Sequence, residues 1–309
     1  MENAGDTKTL HLVGIGVTHS IAPSMHNLIA QSLGLPWTFH STECETIEDV
    51  MQLARLPTVA GLVVTMPYKN TIMSKLDSLD ELSITIGACN NVYHDPTDHN
   101  KLVGTNTDWL GIKGCLLEAG DESARPKAGP NSAAALLVGA GGASRAAVYA
   151  LSAHLHSSTI YLLNRDDGEV EDLIRDTRKI SPTPTIIHVK SVEQAEGLDT
   201  PYYVVGTVPD FPPQSEAEIA VATVLEYFLS RSTTKGVLLD MCFKPRRTRI
   251  IKLGERLGWP TVEGTHVIGY QIHRQWELWA GKEKLAQLDS DGAWKVLLQA
   301  AEESTAINF

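Results

Sequence analysis

A glycine turn between an apolar run and a helical pattern is the feature that most restricts the fold of this chain. In the stretch "LLVGAGGASRA", Gly139 and Gly141 follow directly on an apolar run, and Ser144 takes the third position of the G-x-G-x-x-G pattern. Glycines allow the backbone to turn tightly beside a pyrophosphate, which the N–H groups of a helix N-terminus can then bind. The stretch predicts a Rossmann-type dinucleotide site, and the alternative is a packing turn that binds nothing.

The end of the next apolar run bears on which dinucleotide would bind. It continues as Asn164, Arg165, Asp166 and Asp167. An acid at this place can hold the ribose hydroxyls of NAD, whereas a nearby arginine can accept the 2′-phosphate of NADP. Because two acids would repel that phosphate, we expect NAD, with NADP left open. The cofactor-binding residues expected from these two stretches are Gly139, Ala140, Gly141, Gly142, Ala143, Ser144, Asn164, Arg165 and Asp166.

Strand and helix patterns alternate along the rest of the chain. Apolar runs at 9–17 and 59–66 predict buried strands, and apolar residues at helical spacing predict helices over 22–35 and 46–56. The alternation continues after the glycine turn, and the pattern at 269–288 predicts one long helix. Strands that alternate with helices indicate βαβ units, so we expect an α/β fold.

Length and composition indicate two domains. The chain has 309 residues, of which 43% are hydrophobic, and this is more than one ordinary domain needs. The stretch "DESARPKAGPNSAA" at 121–134 is rich in Pro, Gly, Ser and charge, and it predicts a loop or linker.

The charge balance excludes some classes of partner. The formal net charge is −11, which disfavours general binding of nucleic acid or of an anionic membrane. The one basic cluster, "KPRRTR" at 244–249, is typical of a solvated helix start; a phosphate contact is the less favoured alternative. The first residues lack the pattern of a signal peptide, and no apolar run has the length of a membrane span. We therefore expect a cytoplasmic protein with no membrane partner.

The four cysteines point to the same compartment. Cys44, Cys89, Cys115 and Cys242 are scattered, with no C-x-x-C pair and no metal-ligand spacing. We expect reduced thiols, mostly buried, and no metal site.

Six motifs in fixed order carry a resemblance to a known family. They are "THSIAPSMHN" (18–27), "VTMPYK" (64–69), "IGACNNV" (86–92), "GTNTDWLG" (104–111), "GAGGASRAA" (139–147) and "EGTHVIGYQIHRQWELWAG" (263–281). With these motifs the chain resembles the shikimate/quinate 5-dehydrogenase family over roughly residues 10 to 283. The "GACNN" form is more similar to fungal quinate or shikimate dehydrogenase-like members than to bacterial ones.

The resemblance implies two α/β domains with a cleft between them. The substrate-binding domain would comprise residues 1–115, with the C-terminal helices of 268–309 packing back on it. Residues 116–267 would form a Rossmann-type, doubly wound dinucleotide-binding domain. The implied activity is NAD(P)-dependent interconversion of a cyclic hydroxy acid, quinate or shikimate, and its 3-dehydro ketone. We favour quinate with NAD, in a protein that is a monomer or a homodimer.

The resemblance also assigns site residues. The catalytic pair falls on Lys69 and Asp108, with Lys69 carrying the proton of the reacting hydroxyl and Asp108 orienting Lys69. The substrate-binding residues would be Ser20, which matches a carboxylate-binding serine, and Thr65, Asn90 and Gln271, which match residues that hold ring hydroxyls. Thr207 and Gly264 join the cofactor-binding residues. We expect His19, His26 and His266 to be local hydrogen-bonding or surface groups.

Three departures from the family pattern bear on the substrate. The chain has Ala22 where the family usually has a hydroxyl residue, Val63 where it usually has asparagine, and Phe243 where it often has tyrosine. Each change removes a polar group from the expected pocket, and an unpaired polar partner costs about 1–3 kcal/mol. Two alternatives therefore stay open: a dehydrogenase of a less polar substrate, and a dehydrogenase-like protein that senses such a metabolite.

Overall fold

The computed structural model describes residues 7–127, 129 and 133–309 of the chain. Its strands are β1 (Lys8–Gly14), β2 (Trp37–Glu43), β3 (Val59–Val64), β4 (Ser78–Leu79), β5 (Asn91–His94), β6 (Leu102–Thr105), β7 (Ala135–Val138), β8 (Thr159–Leu163), β9 (Thr185–His188), β10 (Tyr203–Gly206), β11 (Val237–Asp240) and β12 (Thr261–Glu263). Its α-helices are α1 (Ala22–Ser32), α2 (Ile47–Ala54), α3 (Glu81–Ile86), α4 (Asp108–Glu118), α5 (Gly142–Tyr149), α6 (Asp167–Asp176), α7 (Val192–Glu196), α8 (Glu216–Arg231), α9 (Arg249–Arg256), α10 (Thr265–Gly269), α11 (Ile272–Ala280) and α12 (Ser290–Glu303).

The first of two compact units is built on a mixed sheet. It contains residues up to Ile84, Ala88–Thr107 and Gln271–Ile307. The described part of this unit has six strands in the order β2–β1–β3–β5–β6–β4. Strands β2, β1 and β3 are parallel, whereas β5 is antiparallel to both β3 and β6. Because the parallel strands end at one edge of the sheet, the loops that follow β1, β2 and β3 leave it together.

Aromatic residues of α11 hold the C-terminal helices on this sheet. The indole N–H of Trp276 donates to Nδ1 of His26 in α1 at 3.0 Å, and that of Trp279 donates to the carbonyl oxygen of Val92 at 3.1 Å. Gly61 gives Trp279 its place, since a Cβ there would lie 2.3 Å from the indole nitrogen. Helix α12 packs on α1 as well. A segment distant in sequence thus completes the first unit.

The second unit is built on a parallel sheet. It contains Thr85–Gly87, Asp108–Tyr270 and Asn308–Phe309. Its described strands have the order β12–β11–β10–β7–β8–β9, all parallel. The strand order reverses between β7 and β10, as in doubly wound dinucleotide-binding sheets, and ligands bind such sheets at the carboxyl ends of the strands. The predicted α/β fold with a Rossmann-type sheet is confirmed.

The C-terminal pattern differs from the sequence prediction. The single long helix predicted at 269–288 is wrong: α10 ends at Gly269, α11 begins at Ile272, and a short 3-10 turn follows at Lys284–Gln287. Gly281 ends α11 with φ of 86°, a backbone conformation that favours glycine and that cannot continue a helix. The apolar spacing continued past this break, although no residue of the 3-10 turn is buried.

The limits of the units and of the predicted domains differ. The contacts change unit after Thr107 and after Tyr270, whereas the predicted domain ranges change after residues 115 and 267. The functional division into these ranges stays a prediction. The predicted linker at 121–134 includes residues 128 and 130–132. The stretch 1–17, in which no signal peptide is predicted, includes residues 1–6. Both sets lie outside the described residues.

No disulfide joins the four cysteines, all of which lie in the described part of the chain. Cys44, Cys89 and Cys115 are buried, and Cys242 is partly buried. In the part of the chain that the structure describes, no helix combines the length and the apolar character needed to cross a bilayer.

Candidate active site

The loop that leads from β1 into α1 carries Ser20. Its hydroxyl oxygen accepts a hydrogen bond from the backbone N–H of Ala22 at 3.2 Å, and its own N–H donates to the carbonyl oxygen of Val17 at 3.0 Å. The carboxylate of Glu43, at the end of β2, accepts hydrogen bonds from the N–H groups of Gly16 and Val17. The neighbouring strand therefore fixes the loop that presents Ser20.

The segment after β3 carries Thr65 and Lys69. The N–H of Thr65 bonds to the carbonyl oxygen of Val13 at 3.0 Å, which continues the pairing of β1 and β3. The carbonyl oxygen of Lys69 accepts from the N–H of Cys89 at 2.8 Å, one residue before Asn90. Lys69 itself is half-buried. The backbone thus joins the lysine segment to the segment of Asn90.

Asn90 and Gln271 belong to a buried group of polar side chains, which we call the amide cluster: Asn90, Thr107, Gln271 and Gln275. Asn90 Nδ2 donates to Gln271 Oε1 at 2.9 Å, and the backbone N–H of Thr107 donates to Asn90 Oδ1 at 2.6 Å. The Thr107 hydroxyl donates to Gln271 Oε1 at 2.6 Å, and Gln275 Nε2 lies 3.2 Å from Thr107 Oγ1. All four residues are at most 6% exposed. These bonds fix which way each amide points.

Two members of the amide cluster were not predicted. Thr107 lies inside the quoted "GTNTDWLG" motif, and Gln275 lies one helical turn after Gln271, on the same face of α11. That spacing was the available signal for Gln275. Its Oε1 is buried and has no hydrogen-bond partner among the described residues, which leaves an acceptor for a ligand or a water.

One of the sequence departures lies beside another unpaired amide. Val63 is directly opposite Asn91 in the antiparallel pair of β3 and β5. Asn91 is 0% exposed, and neither Nδ2 nor Oδ1 has a partner among the described residues. An amide therefore lies on the neighbouring strand, beside the place where the family pattern has asparagine.

The glycine turn in the second unit allows a ligand to approach the protein backbone closely. Gly139 has φ of 107°, and a Cβ there would lie 2.5 Å from Thr207 Oγ1, so only glycine fits. The Thr207 hydroxyl oxygen lies 2.7 Å from Ser144 Oγ and 2.8 Å from the carbonyl oxygen of Val138. Gly141 is the N-cap residue of α5 without a side-chain cap, and a Cβ on it would meet open space. These residues fit a dinucleotide pyrophosphate at the helix N-terminus.

The residues after β8 have other tasks besides the expected ribose contact. Asp166 is the N-cap of α6 and accepts from the N–H of Glu169 at 2.9 Å, while Asn164 Nδ2 donates to Glu169 Oε2 at 2.9 Å. Arg165 forms an ion pair with Glu218. Hydrogen bonds from the N–H groups of Ser215 and Gln214 lower the pKa of Glu218 to about 2, and the hydrogen bond from Arg165 makes a smaller contribution. The arginine that could have received a 2′-phosphate is thus paired with an acid, although the pair is exposed and weak.

Asp167 is also paired. It lies 2.6 Å from Lys190 Nζ and 3.4 Å from His188 Nδ1. The hydrogen bond from Lys190 lowers the pKa of Asp167. Of the two acids that favoured NAD in the sequence, Asp167 is therefore paired with a lysine.

The carboxyl ends of β11 and β12 carry a buried acid and the basic cluster. Asp240 is 1% exposed, and burial raises its pKa to about 7 despite hydrogen bonds from Thr248 and from the N–H of Cys242. Arg246 and Arg247 pair with Glu263 at 2.6 and 2.9 Å. Of the cluster predicted as a solvated helix start, only Arg249 lies in α9, and Arg246 and Arg247 are bound to an acid next to Gly264.

The other predicted residues lie in defined places. Asp108 is the first residue of α4 and is 3% exposed. Its side chain therefore lies near the partial positive charge of the helix N-terminus. His26 stacks on Phe39 with ring centroids 4.1 Å apart, and His266 Nδ1 lies 2.9 Å from Glu118. These two histidines have the local bonding roles that the sequence predicted.

The fold and these clusters define an α/β protein with a Rossmann-type unit and a separate polar cluster on a mixed sheet. A family model described as the shikimate dehydrogenase substrate binding domain matches residues 12–92. Quinate dehydrogenase from Emericella nidulans is 34% identical in an alignment of 295 residues that covers 90% of this chain and 89% of that protein. The chain therefore belongs to the shikimate/quinate dehydrogenase family. The pentafunctional AROM polypeptide of Eremothecium gossypii is 36% identical over 281 residues, but this chain covers 17% of it.

Solved structures agree with the fold. Dehydroquinate dehydratase and shikimate dehydrogenase from S. pombe AroM is 29% identical with a TM-score of 0.72, over 95% of this chain and 53% of that chain. Quinate dehydrogenase from Corynebacterium glutamicum, in complex with NAD, is 22% identical with a TM-score of 0.72 over 95% of this chain and 100% of that one. Shikimate 5-dehydrogenase from Thermus thermophilus, in complex with NADP(H) and shikimate, is 22% identical with a TM-score of 0.70 over 95% and 99%. At 22% identity the likeness shows the fold.

Proposed function

We propose that the protein is a nicotinamide-dinucleotide-dependent dehydrogenase of a cyclic hydroxy acid, with quinate and NAD as the favoured pair. The amide cluster is the observation that carries this proposal. A buried set of oriented amides and hydroxyls is suited to a ligand with several hydroxyl groups, because each unpaired partner would be costly. The 34% identity to a quinate dehydrogenase supports the same substrate class.

We infer that the first unit recognises the acid. Ser20 would bind its carboxylate, and Thr65, Asn90 and Gln271 would hold its ring hydroxyls. The domain ranges predicted from the sequence follow this division, with 1–115 and 268–309 for the acid and 116–267 for the dinucleotide. Ala22 and Val63 make the pocket less polar than the family pattern. The side-chain amide of Asn91, beside Val63, would replace the hydrogen-bonding group that the family has at position 63.

The reaction we propose is the oxidation of a secondary alcohol to a ketone. The nicotinamide ring supplies the hydride acceptor when the dinucleotide is bound. Lys69 takes the proton of the reacting hydroxyl as the C–H hydrogen leaves as hydride, and Asp108 orients Lys69 and shares its proton. In the reverse direction Lys69 returns the proton to the carbonyl oxygen.

The cofactor site would be formed by the glycine turn, Thr207, Gly264 and the residues after β8. NAD is preferred because Asp166 would accept a ribose hydroxyl and repel a 2′-phosphate, and because Arg165 is paired with Glu218. The pairing of Asp167 with Lys190 leaves Asp166 as the acid that discriminates.

An assay of purified protein with four substrate pairs tests the proposal. Nicotinamide reduction is followed with quinate or shikimate, each with NAD or NADP. We expect quinate with NAD to be the most productive pair. If all four pairs are inactive while NADH still binds, the proposed substrates are wrong, and the apolar Ala22, Val63 and Phe243 direct the search to less polar acids or to a sensing role.

A further inference from the structure

The guanidinium of Arg145 lies under the glycine turn. Arg145 is the fourth residue of α5 and is 6% exposed, so its charge needs partners inside the protein. Its Nη1 donates to the carbonyl oxygens of Ala140 at 2.9 Å and Gly141 at 3.1 Å. These are two successive carbonyls of the turn itself.

The other side of the guanidinium is bound to Asp176, the last residue of α6. Arg145 Nε and Nη2 both donate to Asp176 Oδ2, at 3.0 and 2.7 Å. Gly87 packs on this ion pair, because a Cβ there would lie 3.3 Å from Asp176 Cβ and 3.6 Å from Arg145 Cδ. Arg145 is therefore held in position by the end of one helix while it holds the turn before another.

Because the peptide bond is planar, the direction of each carbonyl also sets the direction of the N–H group in the same peptide. In a trans peptide the carbonyl and the next N–H point to opposite sides. When the carbonyls of Ala140 and Gly141 are turned inward onto Arg145, the N–H groups of Gly141 and Gly142 point outward. The space beyond Gly141 is open, since a Cβ there would meet nothing within 4 Å.

We propose that Arg145 is a positioning residue for dinucleotide binding, held by Asp176, and that it aims the N–H groups of Gly141 and Gly142 at the pyrophosphate. The inference rests on the proposed function, because it takes the ligand of this turn to be a dinucleotide. Arg145 acts through the backbone, because its charge is paired with Asp176.

The test compares Arg145→Met, Arg145→Lys and Asp176→Asn with the wild type, and with Arg178→Met as the control. Arg178 lies in the turn that follows α6 and is exposed. Binding of NADH, ADP-ribose and adenosine is measured by titration, and the KM of the acid by turnover. We expect Arg145→Met to weaken NADH and ADP-ribose about tenfold or more, since two charge-assisted hydrogen bonds are lost. Adenosine, which has no pyrophosphate, should bind as before.

Arg145→Lys and Asp176→Asn should give intermediate losses, because one ammonium cannot reach both carbonyls and the acid, and because an unpaired guanidinium is less fixed. NADH binding by the Arg178→Met control and the KM of the acid should not change. Equal losses of affinity for adenosine and ADP-ribose would show that Arg145 only supports the fold, and they would overturn the proposal. Unchanged NADH binding in all three variants would overturn it as well. A wild type that binds NADH but oxidises no acid refutes the proposed function alone, whereas a wild type that binds no NADH refutes both.

Discussion

The side-chain amide of Asn90 donates a 2.9 Å hydrogen bond to the side-chain oxygen of Gln271, a residue 181 positions later in the chain. Both residues are buried, and the same oxygen of Gln271 accepts from the hydroxyl of Thr107. This oxygen therefore links three separate segments, those of Asn90, Thr107 and Gln271. The candidate substrate residues of the first unit depend on each other for their geometry as well as on the ligand.

Replacing Gln271 by Leu should both destabilise the protein and weaken binding of the acid. The donors of Asn90, Thr107 and Gln275 would lose a buried acceptor, at a cost of about 2–3 kcal/mol in the free energy of unfolding. Urea unfolding measures the stability, and the KM for quinate measures the binding. Arg274→Met is the control, because Arg274 is an exposed neighbour on α11 that pairs with Glu277. Equal urea midpoints for Gln271→Leu and the wild type would contradict the structural part of the prediction.

Replacing Lys69 by Ala should abolish turnover and leave NADH binding intact. The alcohol would lose the group that takes its proton, and general acid–base catalysis by one residue contributes about 10²–10⁴-fold in rate. Steady-state rates and an NADH titration make the measurement. Lys75→Ala is the control, since Lys75 is on the same segment but exposed and paired with Glu48. Retained activity in Lys69→Ala would remove this lysine from the mechanism.

Asp166→Asn should raise the KM for NAD more than the KM for NADP. Asparagine still caps α6 through its side-chain oxygen, so the substitution removes the charge and keeps the helix start. Asp166→Ala would remove both, and comparing the two variants separates the cap from the cofactor contact. The measurement is the ratio of kcat/KM for the two dinucleotides. An unchanged ratio in Asp166→Asn would contradict the choice of NAD.

Because His26 is buried in its neutral form, the free energy of unfolding should fall as the pH is lowered. Burial lowers the pKa of His26 from 6.5 to about 3, and its Nδ1 accepts from Trp276. The unfolded chain takes up a proton near pH 6.5 and the folded chain does not, so the stability from neutral His26 is full above pH 6.5 and is lost as the pH falls towards 3. Between pH 7.5 and 5 this amounts to about 2 kcal/mol.

The measurement is urea unfolding of the wild type and His26→Gln at about pH 7.5 and about pH 5. Glutamine keeps an acceptor for Trp276 but does not titrate, so the variant should lose less stability between the two pH values. His99→Gln, at an exposed histidine, should leave the wild-type pH dependence unchanged. Identical pH dependence for His26→Gln and the wild type would contradict the burial of a neutral imidazole.

Asp240 should make the protein less stable as the pH rises, which is the opposite of the effect of His26. Burial raises its pKa from 3.8 to about 7, and the charge of Asp210 adds to this. The unfolded carboxyl ionises near pH 3.8 while the folded one stays protonated, so stability falls as the pH rises from about 4 to 7. Asp240→Asn keeps the oxygen that accepts from the N–H of Cys242 and has no charge to bury.

We expect Asp240→Asn to match the wild type near pH 4 and to be more stable by about 2–4 kcal/mol at pH 8. Urea unfolding across this range is the measurement, with the exposed Asp199→Asn as the control. Wild-type and Asp240→Asn curves that stay parallel from about pH 5 to about pH 8 would contradict a protonated buried carboxyl.

The local patterns of the sequence were enough for the glycine turn and for the alternation of strands and helices. A glycine pair after an apolar run has few conformations open to it, and the requirement at Gly139 follows from its backbone alone. The same kind of pattern was misleading at 269–288, where apolar spacing continued through the helix end at Gly281. Periodicity alone does not report such a break, and the residues that continued the pattern in Lys284–Gln287 are not buried.

The sequence by itself thus determined the α/β class, the dinucleotide turn and the family of the protein, because each rests on residues that are close together in the chain. Only the tertiary structure decided that Gln275 and Thr107 join Asn90 and Gln271, that Glu43 holds the loop of Ser20, and that Asp176 holds Arg145. The reason is physical: a buried polar group must find its partner in space, and in these pairs the partner lies on another element. No spacing rule along the chain specifies that partner.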